Sequence, residues 1–366
     1  MSRLRVVIAP DSFKGSASAV EVASALGRGW LRSRPDDDVV ELPVADGGEG
    51  TVEAFARAVP AAVRHRVVAP GPDGHPVDAD WLMLPDDTAV LELASASGLT
   101  LLSHPAPYDA HTRGLGRMIV DALDAGARRL LVGIGGSAST DGGLGVLTEL
   151  GLRALDSLGD EVVAGSHGLS AIARLDMSGL RPLPAGGVTV LTDVTNPLLG
   201  AGGAAAVFGP QKGAGPDDVL ALDSALARWA ELLDVDPRAP GAGAAGGTGF
   251  GLLAWGADLA PGALAVSEAI GLPGQVARAD VVIVGEGRYD EQTAGGKAPH
   301  LVASLARAAG ARLLLVAGSV EAPTDGFDDV VSLTDLAGSA DEARRRPGRW
   351  LEDAAAHLAG RVTGRA

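Results

Sequence analysis

The chain has 366 residues and no cysteine, so it has no disulfide framework, thiolate metal site or thiol nucleophile. Aromatic residues make up only 3% of it, and its core must be built from alanine, valine and leucine. No apolar run approaches membrane-spanning length, and no signal-like stretch precedes the first strand. A basic face is missing as well: the formal net charge is −16 and the isoelectric point is near 4.8, which disfavours nucleic acid as a partner. These absences lead to the expectation of a soluble cytoplasmic protein. The length predicts two domains, and homo-oligomerisation is left open.

The scarcest polar residues are the most telling. Of 30 basic residues only three are lysines, Lys14, Lys212 and Lys297, and each adjoins a glycine. Arginine serves wherever charge alone is wanted. Lysine is a compact point charge, and a guanidinium cannot take its place in a tight phosphate site. Asn196 is the single asparagine, set in the segment TDVTNP.

What is present reads as strands that end in acidic, glycine-bearing turns. Leu4 to Ala9 is an apolar strand ending in PDSFKGS, with Ser16 placed to cap a helix. Val39 to Leu42 is a second strand, ending in PVADGGEGT with Asp46 in the turn. Short strands at hairpin spacing follow over Val63 to Val68, Val77 to Leu84 and Ala89 to Ala94. A strand over Arg129 to Ile134 runs into Gly135-Gly136-Ser137 and then Asp141, a glycine-rich anion cradle without the lysine of a Walker A motif. Val188 to Leu191 ends in TDVTNP, and Lys212 lies in a stretch of small residues beyond it. Residues 239–251 read as an ordered loop.

The densest stretch is VVIVGEGRYDEQTAGGKAP, Val281 to Pro299. Its four β-branched residues predict a strand buried on both faces. Gly285 and Gly287 bracket Glu286 and predict a sharp turn at its end. Asp290, Gln292, Thr293 and Lys297 then stand at the mouth of a helix. Acids, hydroxyls and lysine at that place suggest a site for phosphate and metal. Further strands are expected over Arg312 to Val316 and Val330 to Leu333.

Two strands from the front and three from the back predict an α/β fold, a flavodoxin-like doubly wound parallel sheet in the order 2-1-3-4-5. Residues 1–62 and 279–366 form this discontinuous domain. Residues 63–278 are an inserted α/β domain with a mixed sheet. The candidate residues divide between the two, so the reaction is expected in the cleft they form, with hinges near Ala62 and Ala279. The seven histidines show no metal-ligand spacing and read as surface or loop residues.

The motifs APDSFKGSASA, PVADGGEGT, GIGGSASTDGG, TDVTNPLLG with FGPQKGA, and GEGRYDEQT with GGKAP together resemble the type I glycerate kinases of bacteria. The resemblance covers nearly the whole chain. It implies ATP- and Mg²⁺-dependent phosphorylation of D-glycerate, usually at the 2-hydroxyl, by two α/β domains. The chain departs from the family's pattern at Thr140, commonly asparagine, at TRGLGRM over 112–118, often YGTGEL, and at His300, usually aliphatic.

Phosphoryl transfer needs neutralised charge, positioned oxygens and a proton acceptor. Asp193, Lys297, Lys14 and Asp46 are the candidate catalytic residues. Asp193 is the expected base, since a strand end holds it near Asn196. Gly135, Gly136, Ser137, Asp141, Lys212, Gly285, Gly287 and Thr293 are candidates for the nucleotide. Asp11, Ser12 and Asn196 are candidates for the acid substrate, and Glu286 and Asp290 for the metal. A kinase of another hydroxy or sugar acid fits the same residues, and ATP turnover across a panel of acids separates it. A non-catalytic sensor of such an acid would bind its ligand without ATP turnover.

Overall fold

The computed structural model describes residues 2–290 and 298–362. The chain divides into two compact units, one of Met1–Asp46, Glu53–Pro60 and Ala263–Ala366, the other of Gly47–Val52 and Ala61–Gly262. Among the described residues no helix is long and apolar enough to cross a membrane.

The first unit is built on five parallel strands: β1 (Arg5–Ile8), β2 (Asp38–Glu41), β11 (Val281–Tyr289), β12 (Arg312–Val320) and β13 (Asp329–Ser332). Their order is β13-β12-β11-β1-β2, the arrangement the apolar runs predict. Val6, Ile8, Val281, Ile283, Leu314 and Val316 point to one face. The helices Ala19–Ser33 and Pro347–Arg361 cover that face with Leu26, Trp30, Leu351 and Leu358. Ser18, not Ser16, caps the first of these helices, because Glu21 three residues on completes a capping box with it. The last helix is interrupted: Ala340–Arg345 ends and Pro347 opens a new one, since proline lacks the N–H a continuous helix needs.

The expected turn at Gly285–Gly287 is absent, and β11 runs straight through to Tyr289. These glycines serve close approach. A Cβ on Gly285 would lie 2.7 Å from Pro10 Cβ, and one on Gly318 of β12 would lie 2.2 Å from the Gly287 carbonyl oxygen. The loop after β1 therefore packs directly on the β11 backbone, with Asp11 N–H bonded to Gly285 O at 2.9 Å.

The second unit carries a six-stranded mixed sheet in the order β10-β9-β6-β5-β4-β3. Its strands are β3 (Val63–Pro70), β4 (Pro76–Met83), β5 (Thr88–Glu92), β6 (Arg129–Gly133), β9 (Val188–Leu191) and β10 (Asp258–Ala260). β3, β4 and β5 pair antiparallel, and β5, β6, β9 and β10 pair parallel. A separate antiparallel pair joins β7 (Arg153–Leu155) to β8 (Arg174–Asp176). The glycine-rich stretch after residue 239 is not all loop. A helix spans Ala244–Trp255, opening through three left-handed residues, Ala245 to Gly247.

With so few aromatics, the tryptophans matter, and four of the five have a defined polar partner. Trp81 donates to Asp121 Oδ2, Trp229 to Gly142 O and Trp255 to Arg181 O, so large buried surface comes with a satisfied polar edge. Trp30 donates to Asp37 Oδ2 at 2.9 Å, where the Arg34 guanidinium and the Leu4 N–H also meet the carboxylate. Burial alone would raise the Asp37 pKa, but these donors outweigh it and hold it below the usual carboxylate range. Its stabilisation is thus present above about pH 4 and fades as pH falls through the depressed value. Asp37→Ala is expected to cost about 3 kcal/mol in urea denaturation at pH 7, because it strands the Arg34 charge. A loss below about 1 kcal/mol would show the pair to be unimportant.

Candidate active site

In the first unit, five of the sequence-predicted residues line one cavity of about 350 Å³: Ser12, Lys14, Glu286, Gly287 and Asp290. It lies past the C-terminal ends of the parallel strands, where open α/β sheets hold ligands. Extension of β11 to Tyr289 puts Glu286 and Arg288 at alternating positions, hence on one face, with Asp290 just past the strand's end. Glu286 is buried. Arg288 reaches Glu321 at 2.7 Å and Asp290 at 3.5 Å. The sequence reading missed Glu321, Thr334 and Arg344, which also line the cavity. The strand-end rule, applied to β12 and β13, points to the first two; Arg344 has no local signal. Asp11 and Asp46 do not line it. The Asp11 carboxylate accepts the Ser12 N–H at 2.6 Å, closing its own loop. Thr293 and Lys297 lie outside the described residues.

The second unit has its own cavity, of about 360 Å³, at the ends of β5, β6 and β9. Gly135, Gly136, Ser137 and Lys212 line it, joined by Glu49, Thr192 and Gln211. The loop after β6 is pinned from two sides. Gly135 N–H bonds to Gly47 O at 3.1 Å, and a Cβ on Gly135 would lie 2.5 Å from Gly48 Cα. Gly136 O accepts the Leu99 N–H, and Ala138 N–H reaches Ser97 O. Glu92, at the end of β5, accepts the N–H groups of Gly50 and Val52 at 3.1 Å each. The GGEG turn is held to this sheet by the Glu92 carboxylate and by close backbone approach at Gly47, where a Cβ would lie 2.5 Å from Leu191 O.

Asp141 is fully buried and faces inward. It accepts the Thr112 N–H and hydroxyl at 2.8 Å each, and the Gly143 and Gly145 N–H groups at 3.2 Å each. It shapes the loop and does not line the cavity. Asp193 is exposed just after β9, where its Oδ1 accepts the Gly262 N–H at 2.8 Å. Asn196 donates to Gly202 O at 2.8 Å. Neither lines the cavity, although Thr192 and Val194 beside Asp193 do.

Lys212 has 1% of its surface exposed. The turn Pro210–Lys212 holds it, with proline opening the turn and Gly213 closing it at φ +90. Its ammonium donates to Ser137 Oγ at 2.8 Å and to Ser139 O. Burial lowers its pKa to about 7, against the upward pull of Asp141.

None of the departures from the family pattern is among the described residues that line either cavity. Gly114 and Gly116 of the TRGLGRM segment pack against backbone, Leu115 is in the core, and Arg113 pairs with Glu149 at 2.6 Å. Thr140 is fully buried, and its hydroxyl has no hydrogen-bond partner among the described residues. His300 is exposed on the helix Ala298–Ala309. His111 is a loop residue, as expected, but a buried one, and burial lowers its pKa despite the nearby Asp141.

A model of the glycerate kinase family matches residues 6–363. The chain belongs to the glycerate kinase family. It is 43% identical over 359 residues to the glycerate 2-kinase of Escherichia coli (strain K12), covering 93% of each chain. It is 42% identical to the glycerate kinase of Bacillus subtilis (strain 168), covering 98% of each. A crystal structure from Salmonella typhimurium LT2, of a protein designated glycerate kinase 2, superposes with a TM-score of 0.85 at 42% identity over 98% of both chains. The family resemblance carried by the motifs is borne out over nearly the whole chain, and so is the α/β architecture.

Proposed function

We propose that this chain is a glycerate kinase that transfers the γ-phosphoryl group of ATP to the 2-hydroxyl of D-glycerate, giving 2-phosphoglycerate. The structural observation that carries the reading is the convergence of Lys14, Glu286 and Asp290 on one cavity at the strand ends. The glycerate 2-kinase among the relatives supports the choice of hydroxyl. The reading assigns the enzyme to the cytoplasm, where ATP is at hand.

The oxygen donors of this cavity suit Mg²⁺. Among the described residues no three His, Cys, Asp or Glu side chains form a metal cage. Mg²⁺ carried by a nucleotide needs only one or two carboxylates, its other ligands being water and phosphate oxygens. Glu286 and Asp290 would hold it. Bound with ATP, it would offset charge on the phosphate oxygens. Lys14 supplies a point charge to the phosphates, with Lys297 in the same role and Gly285, Gly287 and Thr293 beside the nucleotide. Asp193 takes the proton of the 2-hydroxyl as the new P–O bond forms and the bond to the ADP oxygen breaks. Asp46 is a further candidate for orienting charge. Water competes with the 2-hydroxyl for the phosphoryl group, so the acid must be bound before transfer.

Phosphorus NMR of the product from ATP and D-glycerate tests the reading. A 2-phosphoglycerate resonance is expected, and a 3-phosphoglycerate product or no transfer would overturn it. Exhaustive chelation is expected to abolish turnover, with recovery on adding Mg²⁺. Full turnover in excess chelator would remove Glu286 and Asp290 from the metal role.

A further inference from the structure

We propose that the cavity of the second unit is the seat of the substrate's carboxylate, and that the Lys212 ammonium with the Ser137 hydroxyl forms that seat. This rests on the glycerate kinase reading and moves the Gly135–Ser137 loop and Lys212 from the nucleotide to the acid. Ser12, grouped with the acid in the sequence, lines the other cavity.

The carrying observation is an incomplete charge pair. Lys212 is buried and lines the cavity. An ammonium has three N–H donors. Two are used, on Ser137 Oγ and Ser139 O, and both acceptors are neutral. Among the described residues no carboxylate makes an ion pair with it; Asp141 acts on it only at longer range, its oxygens being occupied by Thr112, Gly143 and Gly145. A buried charge without a counter-charge is costly, and one carboxylate of a small ligand supplies what is missing. Ser137, whose hydroxyl already meets the ammonium, lines the same cavity as a second polar contact.

The charges of the two cavities separate acid from nucleotide. Among the described residues, the cavity of the second unit is lined by one cation and one acid, Lys212 and Glu49. The cavity of the first unit is lined by Lys14, Arg288 and Arg344 together with Glu286, Asp290 and Glu321. A triphosphate carrying a divalent ion needs several charges of both signs, and only the latter set offers them. One buried lysine matches the single negative charge of a hydroxy acid.

The seat also predicts a proton count. With its pKa near 7, most Lys212 in the empty cavity is neutral at pH 8. A carboxylate favours the ammonium, so binding takes up most of one proton. The other groups in reach are Asp141, which raises the Lys212 pKa, and Glu49 across the cavity.

The test is Lys212→Met, an uncharged chain of similar length, with folding checked by its melting transition. The KM for D-glycerate is expected to rise about 100-fold, while the KM for ATP stays within about twofold. Calorimetric titration of D-glycerate at pH 8, in two buffers of different ionisation enthalpy, should show proton uptake by the natural protein and none by the variant. This arm needs no turnover, so it reads the seat even if D-glycerate proves not to be phosphorylated. An unchanged glycerate KM, a rise confined to ATP, or glycerate binding without proton uptake would each overturn the seat while leaving the kinase reading intact.

Discussion

Replacing Asp141 by alanine is expected to lower stability by about 3–5 kcal/mol and to remove most activity, although Asp141 touches no cavity. Its two oxygens collect four donors from Thr112, Gly143 and Gly145 inside the second unit. Those donors hold Gly142 and Gly143 in left-handed conformations, with φ of +63 and +77, just after the loop that carries Ser137 and Ser139. Alanine leaves the donors buried and unsatisfied. Asparagine should fall between, since its NH₂ would face a donor. A second effect is electrostatic. Asp141 is the carboxylate that raises the Lys212 pKa, so its loss lowers that pKa further. The ammonium then persists only at lower pH, and the alkaline limb of kcat/KM for glycerate moves to lower pH. Urea denaturation and the pH profile check the two effects separately. A stability loss under about 1 kcal/mol together with an unmoved limb would mean that the loop does not depend on this carboxylate.

Replacing Lys297 by arginine is expected to lower kcat/KM on the order of 100-fold with an unchanged melting transition. The reason lies in the composition. Three lysines remain among 30 basic residues. Two of them, Lys14 and Lys212, line a cavity, so the skew marks places where a compact charge is required. For Lys212 the structure shows why: its ammonium is enclosed, with Ser137 and Ser139 as its two contacts, and a planar guanidinium exceeds that space. The third lysine follows two glycines, just ahead of the helix Ala298–Ala309. Steady-state kinetics of Lys297→Arg decide the matter. A loss of less than about tenfold would make the lysine skew an accident of composition.

Much of the fold is written in residues that act locally. Val281 to Val284 can only be a strand buried on both faces, and parallel strands joined by right-handed crossovers leave few orders. The order 2-1-3-4-5 is therefore legible in the sequence alone. The glycine-bearing turns after β1, β2 and β6 were legible for the same reason, whereas the one expected at Gly285–Gly287 was not.

Other features were not legible, because they depend on what arrives from far along the chain. GEG looks like a turn in isolation. It is strand here because the loop carrying Pro10 packs on it from one side and Gly318 of β12 from another. Asp141 and Lys212 both looked like ligand-facing residues. Thr112, 29 residues away, draws the carboxylate inward, while Ser137, 75 residues away, receives the ammonium at the cavity wall. By itself the sequence determined the five strands of the parallel sheet, their order and the family, but not the short strands β7, β8 and β10. Only the tertiary structure decided which charges are consumed inside the protein and which stand at a cavity. Burial and pairing are properties of a residue's neighbours in space, and for these residues the neighbours come from remote parts of the chain.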